Sequence, residues 1–203
     1  MEKKITIMGV LKEGVAMGIK NVIPLILSYV LWIATIWIPY LNVGTTIAIT
    51  TIPLELSKGN IINPLFIFEA KYRRYMGEYF ILTGLMAIAV GAASCFLFIP
   101  AMVLSTALSL AVLLLLDKNI SPIEAIMESN KRTYGYKWTI FGISFLLGLI
   151  SLIFAFILIS IPVIGWILYA VLFAIVCAAG SSCTAVIYRE LTSESAPAPA
   201  EEE

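Results

Sequence analysis

The chain has 203 residues, 61% of them hydrophobic and 13% charged, with 13 Lys and Arg balanced by 13 Asp and Glu. A soluble domain is nearer ~25% charged, so a mean hydropathy of +0.99 excludes that class and points to a polytopic membrane protein. The sequence has no histidine, which removes the commonest metal ligand and the commonest general base.

The charges are unevenly spread. None falls in Asn21–Leu54, Tyr79–Leu116 or Trp138–Tyr188, blocks of 34, 38 and 51 residues. One membrane-crossing helix needs ~20 residues, so each block reads as two spans, the first a tight fit. The expected fold is all-α: a bundle of six transmembrane helices in three hairpins, each preceded by an amphipathic interfacial helix. One integral membrane domain covers 1–191 and a disordered acidic tail covers 192–203.

The segment Met1 to Lys20 carries Lys3, Lys4, Lys12, Glu13 and Lys20, with Met8, Leu11, Val15 and Ile19 as a helical stripe interrupted by Gly9, Gly14 and Gly18. It reads as the first interfacial helix and not as a cleaved signal, because Lys12 and Glu13 interrupt any apolar core. Val22 to Tyr40 is the first span, with Trp37 and Tyr40 suited to the far interface. After Ile38-Pro39, a threonine-rich return runs from Val43 to Leu56. Its hydroxyls either line a polar path or bond to their own helix.

Asn63 and Pro64 open a second interfacial helix whose oily stripe is Leu65, Phe68, Tyr72 and Tyr75, with Glu69 placed to pair with Arg73. Phe80 to Phe98 is the third span, and Gly84, Ala87 and Gly91 share a face suited to close helix approach. Ile99-Pro100 turns the chain into Ala101 to Leu116. Ser121, Pro122 and Glu124 then make a capping box. It opens a third amphipathic helix, oily at Ile123, Ile126, Met127 and Tyr134 and charged at Glu124, Glu128, Lys131 and Arg132. Trp138 to Ser160 and Val163 to Tyr188 are the last spans, joined at Ile161-Pro162. On the sixth, Ala170, Ala174, Ala178 and Ser182 form a small face for tight packing, within the chain or between copies. Cys95, Cys177 and Cys183 lie in apolar blocks without metal-ligand spacing and read as packing residues.

The order interfacial helix, span, Ile-Pro turn, span therefore occurs three times, over about 1–59, 60–118 and 119–191, with turns 61 and 62 residues apart. Counted from Pro64 and Pro122, basic pairs recur at +9 and +10 (Arg73-Arg74, Lys131-Arg132), glycine at +13 (Gly77, Gly135) and a large aromatic at +16 (Phe80, Trp138). This pattern predicts a threefold internal repeat. All the basic residues lie outside the apolar blocks, and the Ile-Pro turns carry no charge. By the positive-inside rule, the termini and interfacial helices face the cytoplasm and the protein is multi-pass in the cytoplasmic membrane.

The run SPIEAIMESNKRTYGYKWTIF resembles a stretch found in a group of prokaryotic membrane proteins. That group comprises the membrane domain attached to some glycerophosphoryl diester phosphodiesterases and related domains of unknown function. The matching positions are Pro122, Ala125, Ser129, Thr133, Gly135, Trp138 and Phe141, and the ending AVIYREL, Ala185 to Leu191, is similar too. The resemblance implies a membrane fold and no activity, because the phosphodiesterase of those fusions is a separate soluble domain.

Arg73, Arg74, Lys131 and Arg132 are the expected contacts to anionic lipid headgroups, each worth about 1 kcal/mol at a membrane surface. No nucleophile, base or metal constellation is visible, so neither catalysis nor a cofactor nor a nucleic-acid partner is expected. Two functional readings follow. One is a non-enzymatic, lipid-interacting scaffold or accessory factor. The alternative is a homo-oligomeric channel or transporter for a small solute or ion, with Thr45, Thr46, Ser105 and Ser109 along a polar conduit.

Overall fold

The computed structural model describes residues 5–96, 98–162 and 164–193. Within them the chain is helical, with no strand. Helix α1 (Ile7–Lys20) bends by 75° at Asn21 into α2 (Val22–Thr35), which is followed by α3 (Pro39–Thr50) and α4 (Ile52–Ser57). Two 3-10 turns, Pro64–Phe68 and Ala70–Tyr75, lead into α5 (Met76–Phe96). Then come α6 (Phe98–Ala107), α7 (Ala111–Lys118), α8 (Pro122–Thr133), α9 (Lys137–Ile159) and α10 (Ile164–Thr192).

Four stretches are long and apolar enough to cross a bilayer: Ala70–Phe96, Ile99–Lys118, Lys137–Leu158 and Ile164–Thr192. A fifth is gained only if the bent pair α1 and α2 counts as one span. The first hairpin is the departure from six. Helices α2 and α3 have 14 and 12 residues, about 21 and 18 Å at 1.5 Å per residue, against a hydrocarbon core of about 30 Å. Tyr40, expected at the opposite interface from the basic residues, accordingly has the Arg73 guanidinium 6.0 Å from its ring.

Proline begins the return helix, four residues ahead of the expected start at Val43 and within the stretch expected to finish the first span. Pro39 occupies the first turn of α3, where no helical N–H is lost. The second interfacial element opens as expected, with Asn63 Oδ1 accepting from the Leu65 N–H at 3.1 Å, but it is not one α-helix. Extended backbone at Glu69 (φ −61°, ψ 133°) splits it into the two 3-10 turns. The i,i+4 partner of Glu69 is thereby lost, and its carboxylate meets Lys71 at 2.7 Å instead of Arg73. The two +13 glycines also part company. Gly135 has a left-handed φ of 81°, while Gly77 lies inside α5.

Each lead-in element packs on the return helix of another hairpin. The 3-10 segment lies along α3, with Ile67 and Tyr72 in one cluster with Ile47 and Ala48. Helix α8 runs back along α7, with Ala125 against Ala111 and Leu115. Helix α1 runs antiparallel to α10, its Gly14 so close to Cys183 that an added Cβ would lie 2.6 Å from Sγ and 3.0 Å from the backbone. The buried face of α1 is Val10, Gly14 and Gly18, spaced by four, while Met8, Val15 and Ile19 point outward. On α10 the small face is used in part: Ala178 and Ser182 are buried and Ala170 is exposed. The glycines of α5 are not used within the chain, because a Cβ at Gly84 or Gly91 would meet nothing within 4 Å.

The result is a packed base of α1, α4, α7, α8 and the C-terminal half of α10, from which the hairpins project. Leu54, Leu113, Leu114, Val186 and Leu191 share its core. Of the expected tail, Thr192 closes α10 and Ser193 follows it. Residues 194–203, like Met1–Lys4, lie outside the described residues.

Candidate functional site: the charged end of the bundle

Helix α8 starts as its sequence dictates. Ser121 Oγ accepts from the Glu124 N–H at 3.3 Å, and Glu124 Oε2 accepts from the Ser121 N–H at 3.0 Å. The Ser121 backbone bond and then its hydroxyl hold the Glu124 carboxyl below its usual range. The preceding helix stops at Asn119, whose left-handed φ of 51° forms the C-cap of α7.

The helix has three faces. The oily residues Ile123, Met127 and Tyr134 are exposed. The charged face carries Glu124, Glu128, Lys131 and Arg132. The third face, Ala125, Ser129 and Thr133, is completely buried, and its task is specific. The fourth leg of the bundle breaks at Leu108–Leu110 between α6 and α7, which frees backbone groups in an apolar setting, where each unpaired one is costly. Ser129 Oγ donates to the Ala107 carbonyl at 2.7 Å and accepts from the Leu110 N–H at 3.3 Å. Thr133 Oγ1 adds a 3.3 Å bond to the same carbonyl.

The four expected lipid contacts divide. Arg132 is committed to the protein: Nε bonds Glu128 Oε1 at 2.6 Å, and a terminal nitrogen donates to the Leu191 carbonyl at 2.7 Å, tying α8 to the end of α10. Burial pushes the Glu128 carboxyl up, but Arg132 and Lys118 outweigh it and hold it below the ordinary carboxylate range. Arg73 packs over Gly44 and stacks on Tyr40, with no carboxylate partner among the described residues. Arg74 and Lys131 are exposed, and neither is paired among the described residues.

Two features escaped the sequence reading. Lys58, after α4, meets Asp117 of α7 at 2.8 Å, and the Tyr188 hydroxyl of α10 donates to the other Asp117 oxygen at 2.6 Å. The return legs of all three hairpins are thus tied at one carboxylate. The signal available was Asp117, a lone acid closing an apolar block. The second feature is Lys137, whose ammonium meets, among the described residues, only the neutral Asn130 Oδ1, at 2.9 Å, and the Tyr134 ring, at 5.9 Å.

The four conduit residues are not gathered. Thr45 bonds Thr35 at 2.8 Å and Thr46 accepts from the Trp32 indole at 2.9 Å, which clasps α2 to α3. Ser105 and Ser109 bond back to carbonyls of their own leg. Ser109 also borders a mostly apolar cavity of about 340 Å³ that contains Ser144, Cys177 and Thr184. Among the described residues, no three His, Cys, Asp or Glu side chains come together as a metal site requires. No protein-family model, curated protein or solved structure matches the chain.

Proposed function

We propose that this is a non-enzymatic integral membrane protein that engages anionic lipid at its charged end, as a scaffold or accessory factor of the cytoplasmic membrane. One observation carries the reading. Lys12, Lys20, Arg73, Arg74, Lys131 and Lys137 all lack a carboxylate partner among the described residues, and all lie on or beside lead-in elements that expose large apolar side chains, such as Met8 and Ile19, Leu65, and Ile123 and Met127, although Tyr72 of the second expected stripe is buried against α3. An outward oily face beside unneutralised cations suits the headgroup region of an anionic leaflet.

The threefold repeat belongs to the same proposal. What supports it is the packing of each lead-in on the return helix of the preceding hairpin, with α1 on α10 closing the cycle. In this reading α5, α6–α7, α9 and α10 cross the membrane and the short first hairpin enters it part-way. The resemblance of Ser121–Phe141 to phosphodiesterase-linked membrane domains fits a lipid setting. The channel alternative gains no support from the four hydroxyl residues, which bond within their own hairpins.

The test is lipid selectivity of the full chain in mixed phosphatidylglycerol and phosphatidylcholine nanodiscs, read by brominated-lipid quenching. The triple variant Arg73→Gln, Arg74→Gln and Lys131→Gln is compared with the parent, with Arg132 left intact. At about 1 kcal/mol per cation, the variant loses about half of the preference for phosphatidylglycerol, and Lys12, Lys20 and Lys137 retain the rest. An unchanged preference overturns the reading, and solute flux through reconstituted liposomes replaces it with the channel.

A further inference from the structure

Between α6 and the α8–α9 junction lies a slot of about 170 Å³, floored by Met102, Val103, Thr106 and Phe141 and bordered by Tyr134, Lys137 and Trp138. Its floor is apolar apart from Thr106, whose hydroxyl donates to the Met102 carbonyl at 2.8 Å. Its rim holds two amphipathic rings, 46% and 70% exposed for Tyr134 and Trp138, the side chains that prefer a membrane–water interface. Trp138 is braced edge-on against Phe141, ring centres 6.3 Å apart. Among the described residues Lys137 is a cation facing only neutral groups, and the first turn of α9 that it opens has no acidic residue. The left-handed Gly135 turns the chain sharply between α8 and α9, which brings the α8 aromatic and the α9 cation to one opening.

We propose that this slot binds a single anionic phospholipid, with its phosphate against the Lys137 ammonium and one acyl chain between Met102, Val103 and Phe141. This inference rests on the lipid-engaging reading above and narrows it from a leaflet to one seat. The occupant follows from charge and shape together: an apolar trough ending at an unneutralised ammonium and two interfacial rings complements a chain that ends in a phosphate. A free phosphate uses the cation and leaves the trough unfilled. A zwitterionic lipid brings its own cation to the same rim.

The experiment uses the full chain with Trp32, Trp37 and Trp166 replaced by Phe, so that Trp138 is the only tryptophan reporter, in nanodiscs of phosphatidylcholine with phosphatidylglycerol as the minor lipid. One lipid at a time carries a brominated chain. The expected result is several-fold stronger quenching of Trp138 per brominated phosphatidylglycerol than per brominated phosphatidylcholine. Lys137→Gln removes that excess, and so does Val103→Phe, which fills the trough and leaves Trp138 the only tryptophan. Glycerol phosphate in the buffer leaves it in place. Equal quenching by the two lipids overturns the seat, and so does an excess unaffected by Lys137→Gln or displaced by glycerol phosphate. If the seat fails while the triple variant at Arg73, Arg74 and Lys131 still loses selectivity, the broader lipid reading stands. If both fail, neither does.

Discussion

The two halves of α10 differ in composition and have opposite surroundings: 166–175 is almost wholly large and apolar, whereas 178–191 carries Gly180, Ser181, Ser182, Thr184, Arg189 and Glu190. From Ala178 to Leu191 the helix is packed against α1 and α4, with Ala185, Val186, Ile187 and Tyr188 buried. From Trp166 to Ile175 most of its large side chains are at least 43% exposed. Helix α9 repeats the contrast, with Ile140 and Ile143 in the core and Leu152 and Phe156 open. The lesson is that burial does not follow hydropathy here: the more apolar half of α10 is the one left outside. What marks the packed half is small and hydroxyl residues that let backbones approach, as is general for helices meeting in lipid.

The sharpest way to break this comparison uses one residue type on one helix. Ile187→Ala removes buried volume and is expected to cost about 2–5 kcal/mol, whereas Ile167→Ala at the exposed end is expected to stay within about 0.5 kcal/mol. Unfolding titrations in detergent micelles measure both, and equal losses would erase the distinction. Gly14→Leu comes next, at about 3 kcal/mol, the upper end for overpacking, because the backbone of Cys183 is the neighbour that has to move. Ser129→Ala strips the Leu110 N–H of its acceptor and leaves the Ala107 carbonyl only the longer Thr133 bond. A loss of about 2 kcal/mol is expected, readable as faster amide exchange at the α6–α7 break. Asp117→Asn keeps a hydrogen-bond acceptor for Tyr188 but forfeits the charge facing Lys58, a partly exposed pair worth about 1 kcal/mol.

The smallest effect is on pH. Glu124 and Glu128 are held below their ordinary range in the folded chain. Their contribution is therefore complete above the unfolded carboxyl value of about 4.3 and is lost as pH falls through the lower folded values. Micelle stability monitored on α8 is expected to be level from about pH 5 to 8 and to decline below about pH 4. A decline that begins near neutrality would place a different group in control.

Much of the architecture was legible because it follows from transfer energetics and local caps. Charge-free blocks, proline-led returns and the Ser121–Glu124 box depend on nearest neighbours along the chain. What was not legible depends on which face meets protein. In α1 and α8 the periodic oily residues drew attention, yet Gly14, Gly18, Ala125, Ser129 and Thr133 make the contacts. Where lipid is the solvent, the most apolar stripe is the one left outside. The same reasoning separates Arg132 from Lys137. Both are basic residues beside a span, and only the tertiary placement of the Leu191 carbonyl shows that the first is engaged. The first hairpin's length was ambiguous for another reason: its break at Thr51, next to Pro53, divides one charge-free block into helices too short to span.

The docking of α1 on α10 has a consequence for biosynthesis. The groove that receives Gly14 is built around Cys183, 169 residues later in the order of translation. At about 5–20 residues per second, α1 waits on the order of 10 to 35 s for its partner surface. During that interval its glycine face has no helix to meet, and the outward stripe of Met8, Val15 and Ile19 offers it the bilayer surface as a resting place. Assembly of the base is then a late event, in which a helix made well before its partner is seated only after Cys183 has emerged.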